Sequence, residues 1–240
     1  MNWFDCPIVT WLEKTAVYLF RHIRFGIVFT IAVIGLAILV LANSAVYFQS
    51  AVTPAFFVEK LPISDDSLWR TAFYFHIVAA SVCFVTGFPL FFPALLRFRR
   101  VHFVLGYVYF NAVLWIAAPT GLMMSPFAKG GLLAAVGFTI TGVAWWWTTW
   151  CGYKSIRRGD VQTHIRWMVR SFSIALSAVF FRVIQIGLGW IDVAPESNYI
   201  ASIWLSLLAS VCLAESCIAS KRLATRPLTK RSVVRTVVVS

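Results

Sequence analysis

Charged side chains are scarce in this 240-residue chain: Asp, Glu, Lys and Arg make up 12% of it, against 60% hydrophobic residues. Soluble domains carry about 25% charged residues, so the chain has half of what a water-exposed surface needs. Acids are scarcer still, 9 against 21 bases. The apolar–polar alternation of a membrane barrel is missing, as are a CxxC pair and an internal repeat of the kind found in duplicated transporters. The five cysteines, Cys6, Cys83, Cys151, Cys212 and Cys217, imply no disulfide framework. The same composition excludes disordered, collagen-like and disulfide-scaffold chains. Apolar length takes their place, with a mean hydropathy of +0.80. The chain reads as an integral membrane protein of the all-α class.

Apolar runs of about 20 residues mark membrane-crossing helices. Six can be cut out between charged or turn-rich breaks, at 25–48, 71–96, 101–124, 130–153, 167–191 and 198–219. The bases orient the bundle. Lys14, Arg21 and Arg24 precede span one, and Arg97, Arg99 and Arg100 follow span two. Lys154, Arg157, Arg158, Arg166 and Arg170 surround the join between spans four and five, and Lys221, Arg222, Arg226, Lys230, Arg231 and Arg235 form the tail. The positive-inside rule puts all of them, with both termini, in the cytoplasm. Glu59, Asp65, Asp66, Asp192 and Glu196 then lie outside. The +12 net charge is a topology signal and does not point to nucleic acid.

Three regions follow: a cytoplasmic segment at 1–24, a six-helix transmembrane domain at 25–219, and a basic tail at 220–240. Ile8, Trp11, Leu12, Thr15, Ala16 and Leu19 share one side of a helix opposite Glu13, Lys14 and Arg21. That pattern predicts a short interfacial helix on the bilayer surface. The first apolar run is too long for a signal-peptide core.

Polar groups inside hydrocarbon are costly and mark interior or functional positions. His76, Arg182 with Gln185, Asn111 and Glu215 stand out, and Asn43 adds a polar group near the outer end of span one. An outer-half pocket of His76, Arg182, Gln185 and Asn43 is expected. Gly159-Asp160 reads as a helix start with Asp160 as N-cap. From there His164, Met168, Ser171, Ala175, Ala178, Arg182, Gln185 and Gly189 fall on one buried stripe, while Phe172, Val179 and Ile186 project elsewhere. A second stripe reads His76, Ala80, Cys83, Gly87, Leu90, Ala94. Ser202, Ser206, Ser210 and Ala214 read as a packing stripe only. Glu215 is expected to pair with a base of the tail.

At the inner face His102 opens span three and His164 precedes span five, at similar depth. A haem held by both imidazoles, or a metal with Asp160 as a further or outer ligand, is chemically open.

The segment Asp160-Val-Gln-Thr-His164-Ile-Arg166-Trp167-Met168-Val-Arg170-Ser171, followed by Arg182, resembles the signature of a predicted membrane protein family, domain of unknown function 2306. His76, the stretch from Arg97 through His102 to Gly106-Tyr107-Val108-Tyr109, and Trp147-Thr148-Thr149 are similar to further positions of that family. The resemblance spans about residues 70–190. It departs from the family pattern at Phe103 and Tyr107, where the family carries arginines. It implies a polytopic membrane protein with paired His and Arg positions, and it implies no activity.

Three function classes stay open. One is a membrane redox component, with haem at the His102/His164 level or a quinone near His76 and Arg182. Another is a transporter or binding protein for a small anionic or lipidic molecule. The last is a membrane-embedded enzyme, or its accessory, acting on a hydrophobic substrate. Intramembrane Asp pairs for Mg²⁺ and placed nucleophile triads are both missing. The bilayer is the one partner the sequence requires.

Overall fold

A computed structural model describes residues 55–92, 95 and 98–219, together with 31, 34, 35, 38, 42 and 44–49. Contacts divide the chain after Val52. In the first unit the described residues are helical up to Ala45, and a 3₁₀ turn follows at Val46–Phe48. The expected interfacial helix, Asn43, most of span one and the basic tail lie outside the described residues.

The second unit is all helical among the described residues. After α1 (Ala55–Glu59) come α2 (Ser67–Gly87), α3 (Arg99–Asn111), a π-helical stretch Ala112–Ala117 and α4 (Ala118–Met124). They are followed by α5 (Gly131–Arg157), α6 (Val161–Ala175), α7 (Ser177–Trp190) and α8 (Pro195–Ala219). Five stretches are long and apolar enough to cross a membrane: Ser67–Phe91, Arg99–Phe127, Gly131–Arg157, Val161–Trp190 and Pro195–Ala219. These match spans two to six of the sequence reading, with ends moved by a few residues. Their short joins make neighbours antiparallel. Arg99, Arg100, Lys154, Arg157, Arg158 and Arg166 consequently gather at one end of the bundle, called here the basic end. Glu59, Lys60, Asp65, Asp66, Lys129, Asp192 and Glu196 gather at the other.

Caps set the helix starts. Asp66 accepts the Trp69 N–H at 2.8 Å and Asp160 accepts the Thr163 N–H at 3.0 Å, each satisfying a donor the first turn leaves open. Asp160 is thus the N-cap its sequence position predicts. The π-helical stretch stands before Pro119, which has no N–H to offer the carbonyl one turn back.

α5 packs along α6, α7 along α8, and α2 against the π-helical stretch and α4. Small residues set the approach distances. A Cβ on Gly137 would stand 2.5 Å from Cγ2 of Ile203, and one on Gly87 would stand 2.8 Å from the Tyr109 ring. Ala134, Phe181 and Ile203 form an apolar core joining α5, α7 and α8. Ser202, Ser206, Ser210 and Ala214 are all buried on α8. Ser206 and Ser210 return their hydroxyls to carbonyls of their own helix, at 2.8 and 2.7 Å. That is the packing stripe the sequence predicts.

One expectation is corrected. The stripe from His164 to Gly189 assumes a continuous helix, but the helix is interrupted at Leu176, between α6 and α7. There Val179 N–H turns back three residues to the Leu176 carbonyl. The change of winding moves the buried face. Phe172 and Val179 are buried at 6% and 2% exposure, whereas Ala178 and Arg182 are exposed.

Candidate functional site

Two histidines enter the basic end from parallel helices, His102 in the first turn of α3 and His164 in the first turn of α6. His164 Nδ1 lies 2.8 Å from the Gly152 carbonyl of α5. A carbonyl only accepts, so the proton is on Nδ1 and Nε2 keeps a lone pair. Gly152 is needed for this approach, because a Cβ there would stand 2.7 Å from Sδ of Met168. His102 has its Nδ1 buried with no hydrogen-bond partner among the described residues. Asp160 does not orient His164. Its carboxylate is exposed and held below the ordinary aspartate range by hydrogen bonds from Thr163, and the Gly152 carbonyl performs the orienting role.

Seven residues further along each helix, two turns or about 10 Å, stands a hydroxyl. Tyr109 on α3 and Ser171 on α6 meet at 2.8 Å, both with 0% exposure. Thr149 of α5 joins Ser171 at 2.7 Å and also donates to the Trp145 carbonyl. Trp145 Nε1 donates to the Tyr109 oxygen at 3.2 Å. This dry network ties three helices together. The ring of Tyr109 lies over Gly87 of α2. Ser171 enters the sequence reading only as a motif position, and Tyr109, Trp145 and Thr149 carry no role there beyond the resemblance. The repeated seven-residue step from histidine to hydroxyl is the signal that points to them.

The residues expected to form an outer-half pocket take separate places. His76 Nδ1 donates to the Ala117 carbonyl at 2.8 Å, with Thr120 Oγ1 at 3.4 Å. Gly121 leaves room for the ring, since a Cβ there would meet it at 2.9 Å. Arg182 is exposed on α7, 3.4 Å from Gln185 Oε1 and over the Phe181 ring at 5.3 Å. His76 and Arg182 share no partner. His76 also stands fifteen residues from His102 by way of Ala117, about 22 Å along the helix. Gln185 lines a cleft of about 400 Å³ at the acidic end, with Lys129, Asp192, Asn198 and Tyr199.

Of the motif positions, Arg166 is exposed at the basic end. Arg170 grips Glu215 of α8 through Nε at 2.7 Å and a terminal nitrogen at 3.1 Å. Its guanidinium lies over the Trp167 ring at 4.9 Å. Glu215 thus has a partner within the bundle, and the bases of the tail lie outside the described residues. Asn111 bonds its own helix at Tyr107. Cys83, Cys151 and Cys212 are free thiols. Among the described residues no three His, Cys, Asp or Glu side chains converge as a metal ion would require.

Five stretches of helix long and apolar enough to cross a membrane, tied to one another by buried hydroxyls, define a multi-pass integral membrane protein. The chain belongs to the family of predicted membrane proteins, domain of unknown function 2306, whose match runs over residues 73–218, from the first turns of α2 to the last turn of α8. No curated protein and no solved structure matches it.

Proposed function

We propose that the protein is a membrane redox component that would carry single electrons on a haem held by His102 and His164 at the basic end. The placement of the two imidazoles, each in the first turn of one of two parallel helices, carries this reading. A bare metal ion needs three or four side-chain ligands, whereas a porphyrin brings its own four nitrogens and asks the protein for two. Two histidines at one level of the bundle, with no third ligand grouped with them among the described residues, suit the second case.

The surroundings fit the group. A ligating imidazole normally donates its other N–H to an oxygen, which fixes the tautomer and raises basicity. His164 makes that bond to Gly152 and presents Nε2. His102 would likewise present Nε2, its Nδ1 being buried and without an acceptor among the described residues. Arg99, Arg100 and Arg166 stand within three residues of the two ligands and supply positive charge for propionates. When bound, haem would supply a one-electron ferric–ferrous couple. Tyr109, Thr149, Trp145 and Ser171, buried two turns along the helices from the histidines, would hold α3, α5 and α6 together beside it.

Purification from haem-supplemented cells tests the reading. Wild type is expected to retain stoichiometric haem, and His102→Ala and His164→Ala to lose it while His76→Ala keeps it. A folded wild type that stays colourless overturns the proposal.

A further inference from the structure

The cleft at the acidic end stands about twenty residues along α6 and α7 from His164, roughly 30 Å, and its occupant is independent of the haem reading. Its volume of about 400 Å³ lies within the range of ligand clefts, roughly 300–1,000 Å³. The turn from α7 to α8 builds it. Gly189 and Asn198, both lining it, stand against each other, since a Cβ on Gly189 would lie 3.8 Å from the Asn198 amide nitrogen. The Asn198 side chain is fully engaged, donating to the Gln185 carbonyl at 3.0 Å and accepting from the Ser202 hydroxyl at 3.1 Å.

Two charged side chains line the cleft, Lys129 and Asp192. Lys129 is neutralised by an ion pair with Glu59. The Asp192 carboxylate has no ion-pair or hydrogen-bond partner among the described residues, so the lining carries one unanswered negative charge. The helix ends around it add to that sign. Asp192 follows the C-terminus of α7, the negative end of a helix dipole, and α7 has no base in its last turn. The positive end of α8, across the turn, is already met by Glu196 in its first turn. Asp192 also holds φ 55°, a left-handed position that suits glycine best. A carboxylate thus stands there against both the dipole and the backbone, and a bound cation would offset the first of these costs. Arg182, which bonds Gln185 at 3.4 Å, is not among the lining residues and does not supply that cation.

We propose that this cleft binds a small organic cation bearing a primary ammonium, with Asp192 as its counter-ion. A primary ammonium brings three N–H donors and no acceptor. The carboxylate answers its charge, and Tyr199 and Gln185 add a hydroxyl and an amide oxygen as further acceptors in the same cleft. Val193, Ala194 and Pro195 give apolar wall for a short carbon chain. An anion would meet Asp192 with Lys129 already paired, and a neutral polyol would leave the carboxylate unanswered, so both are disfavoured. A quaternary ammonium carries the charge without the donors and ranks between.

Saturation-transfer NMR of the full chain in a non-ionic detergent, with ethanolamine, tetramethylammonium, acetate or glycerol as the probe, reads the selectivity. Ethanolamine is expected to bind most tightly and tetramethylammonium more weakly, with acetate and glycerol giving no signal above the empty micelle. Asp192→Asn retains a residue that tolerates the left-handed φ and removes only the charge. It is expected to weaken ethanolamine about tenfold, the worth of one charge-assisted contact. Gly189→Leu, whose Cβ has room against Asn198, is expected to abolish binding by filling the cleft. Displacement of ethanolamine by phosphatidylethanolamine in the same micelles would assign the ammonium to a lipid head, and its failure to a soluble amine. Acetate or glycerol bound as tightly as ethanolamine, an unchanged affinity in Asp192→Asn, or an undiminished signal in Gly189→Leu would each overturn the cation site.

Discussion

Removing the phenolic oxygen of Tyr109 probes the hydroxyl network that fixes the helix spacing around the histidines. Tyr109→Phe deletes two bonds, to Ser171 and from Trp145. The two losses are unequal. Ser171 keeps Thr149 as a partner, whereas Trp145 Nε1, on a residue 8% exposed, is left without an acceptor. An interhelical hydrogen bond in a membrane protein averages about 0.6 kcal/mol and reaches about 1.7, and stranding a buried donor costs about 1–3 kcal/mol. Tyr109→Phe should therefore destabilise by about 2–3 kcal/mol. Ser171→Ala strands a donor too: Thr149 spends its hydrogen on the Trp145 carbonyl, so Ser171 donates to Thr149 and the Tyr109 O–H donates to Ser171, and a cost of about 1–3 kcal/mol is expected. Adding Trp145→Phe to Tyr109→Phe removes the stranded N–H and should recover part of the loss. Denaturant titration in mixed micelles, followed by tryptophan emission or circular dichroism, gives all of these values. A Tyr109→Phe/Trp145→Phe pair no more stable than Tyr109→Phe alone would refute the assignment of Trp145 as donor to the phenol.

Gly137→Ala should destabilise by about 1–3 kcal/mol, because its Cβ lands 2.5 Å from Ile203, and thermal unfolding in detergent measures it. Arg170→Leu and Glu215→Leu should each loosen α6 from α8 by leaving a lone charge at the helix interface. The double variant should recover stability, a pattern a double-mutant cycle reads directly. The Asp160 carboxylate is favoured when ionised, so its folded value lies below its unfolded one. Its capping contribution is complete above about pH 4 and is lost only as pH falls through the lower folded value. An acid titration of wild type should show this loss, and Asp160→Asn, which caps without a charge, should not.

The membrane helices were legible because hydrophobic length and charge segregation are local properties of a sequence. The Asp160 cap and the α8 serine stripe were legible for the same reason, each being decided within a turn or two of its own helix. The break at Leu176 was not. No proline or glycine marks it, and once the winding changes there, five-turn periodicity from His164 no longer predicts which side Arg182 faces. Long-range partners were equally hidden. Glu215 could have met any nearby base, and only the packing of α6 on α8 selects Arg170. His102 and His164 share a level at the basic end, but the His164 imidazole is oriented by a backbone carbonyl, Gly152, which no side-chain motif can reveal. The cost of burying a charge predicts an interior Arg182, but its side chain is exposed on α7 against Gln185 of its own helix.

Electron paramagnetic resonance of the oxidised protein is the most direct test of the shared iron between His102 and His164. Two imidazole ligands predict a low-spin signal in wild type and a high-spin signal when either histidine is replaced by alanine with haem supplied in excess. A low-spin signal that survives loss of either residue, or a wild type with no haem signal at all, would contradict the paired-ligand site.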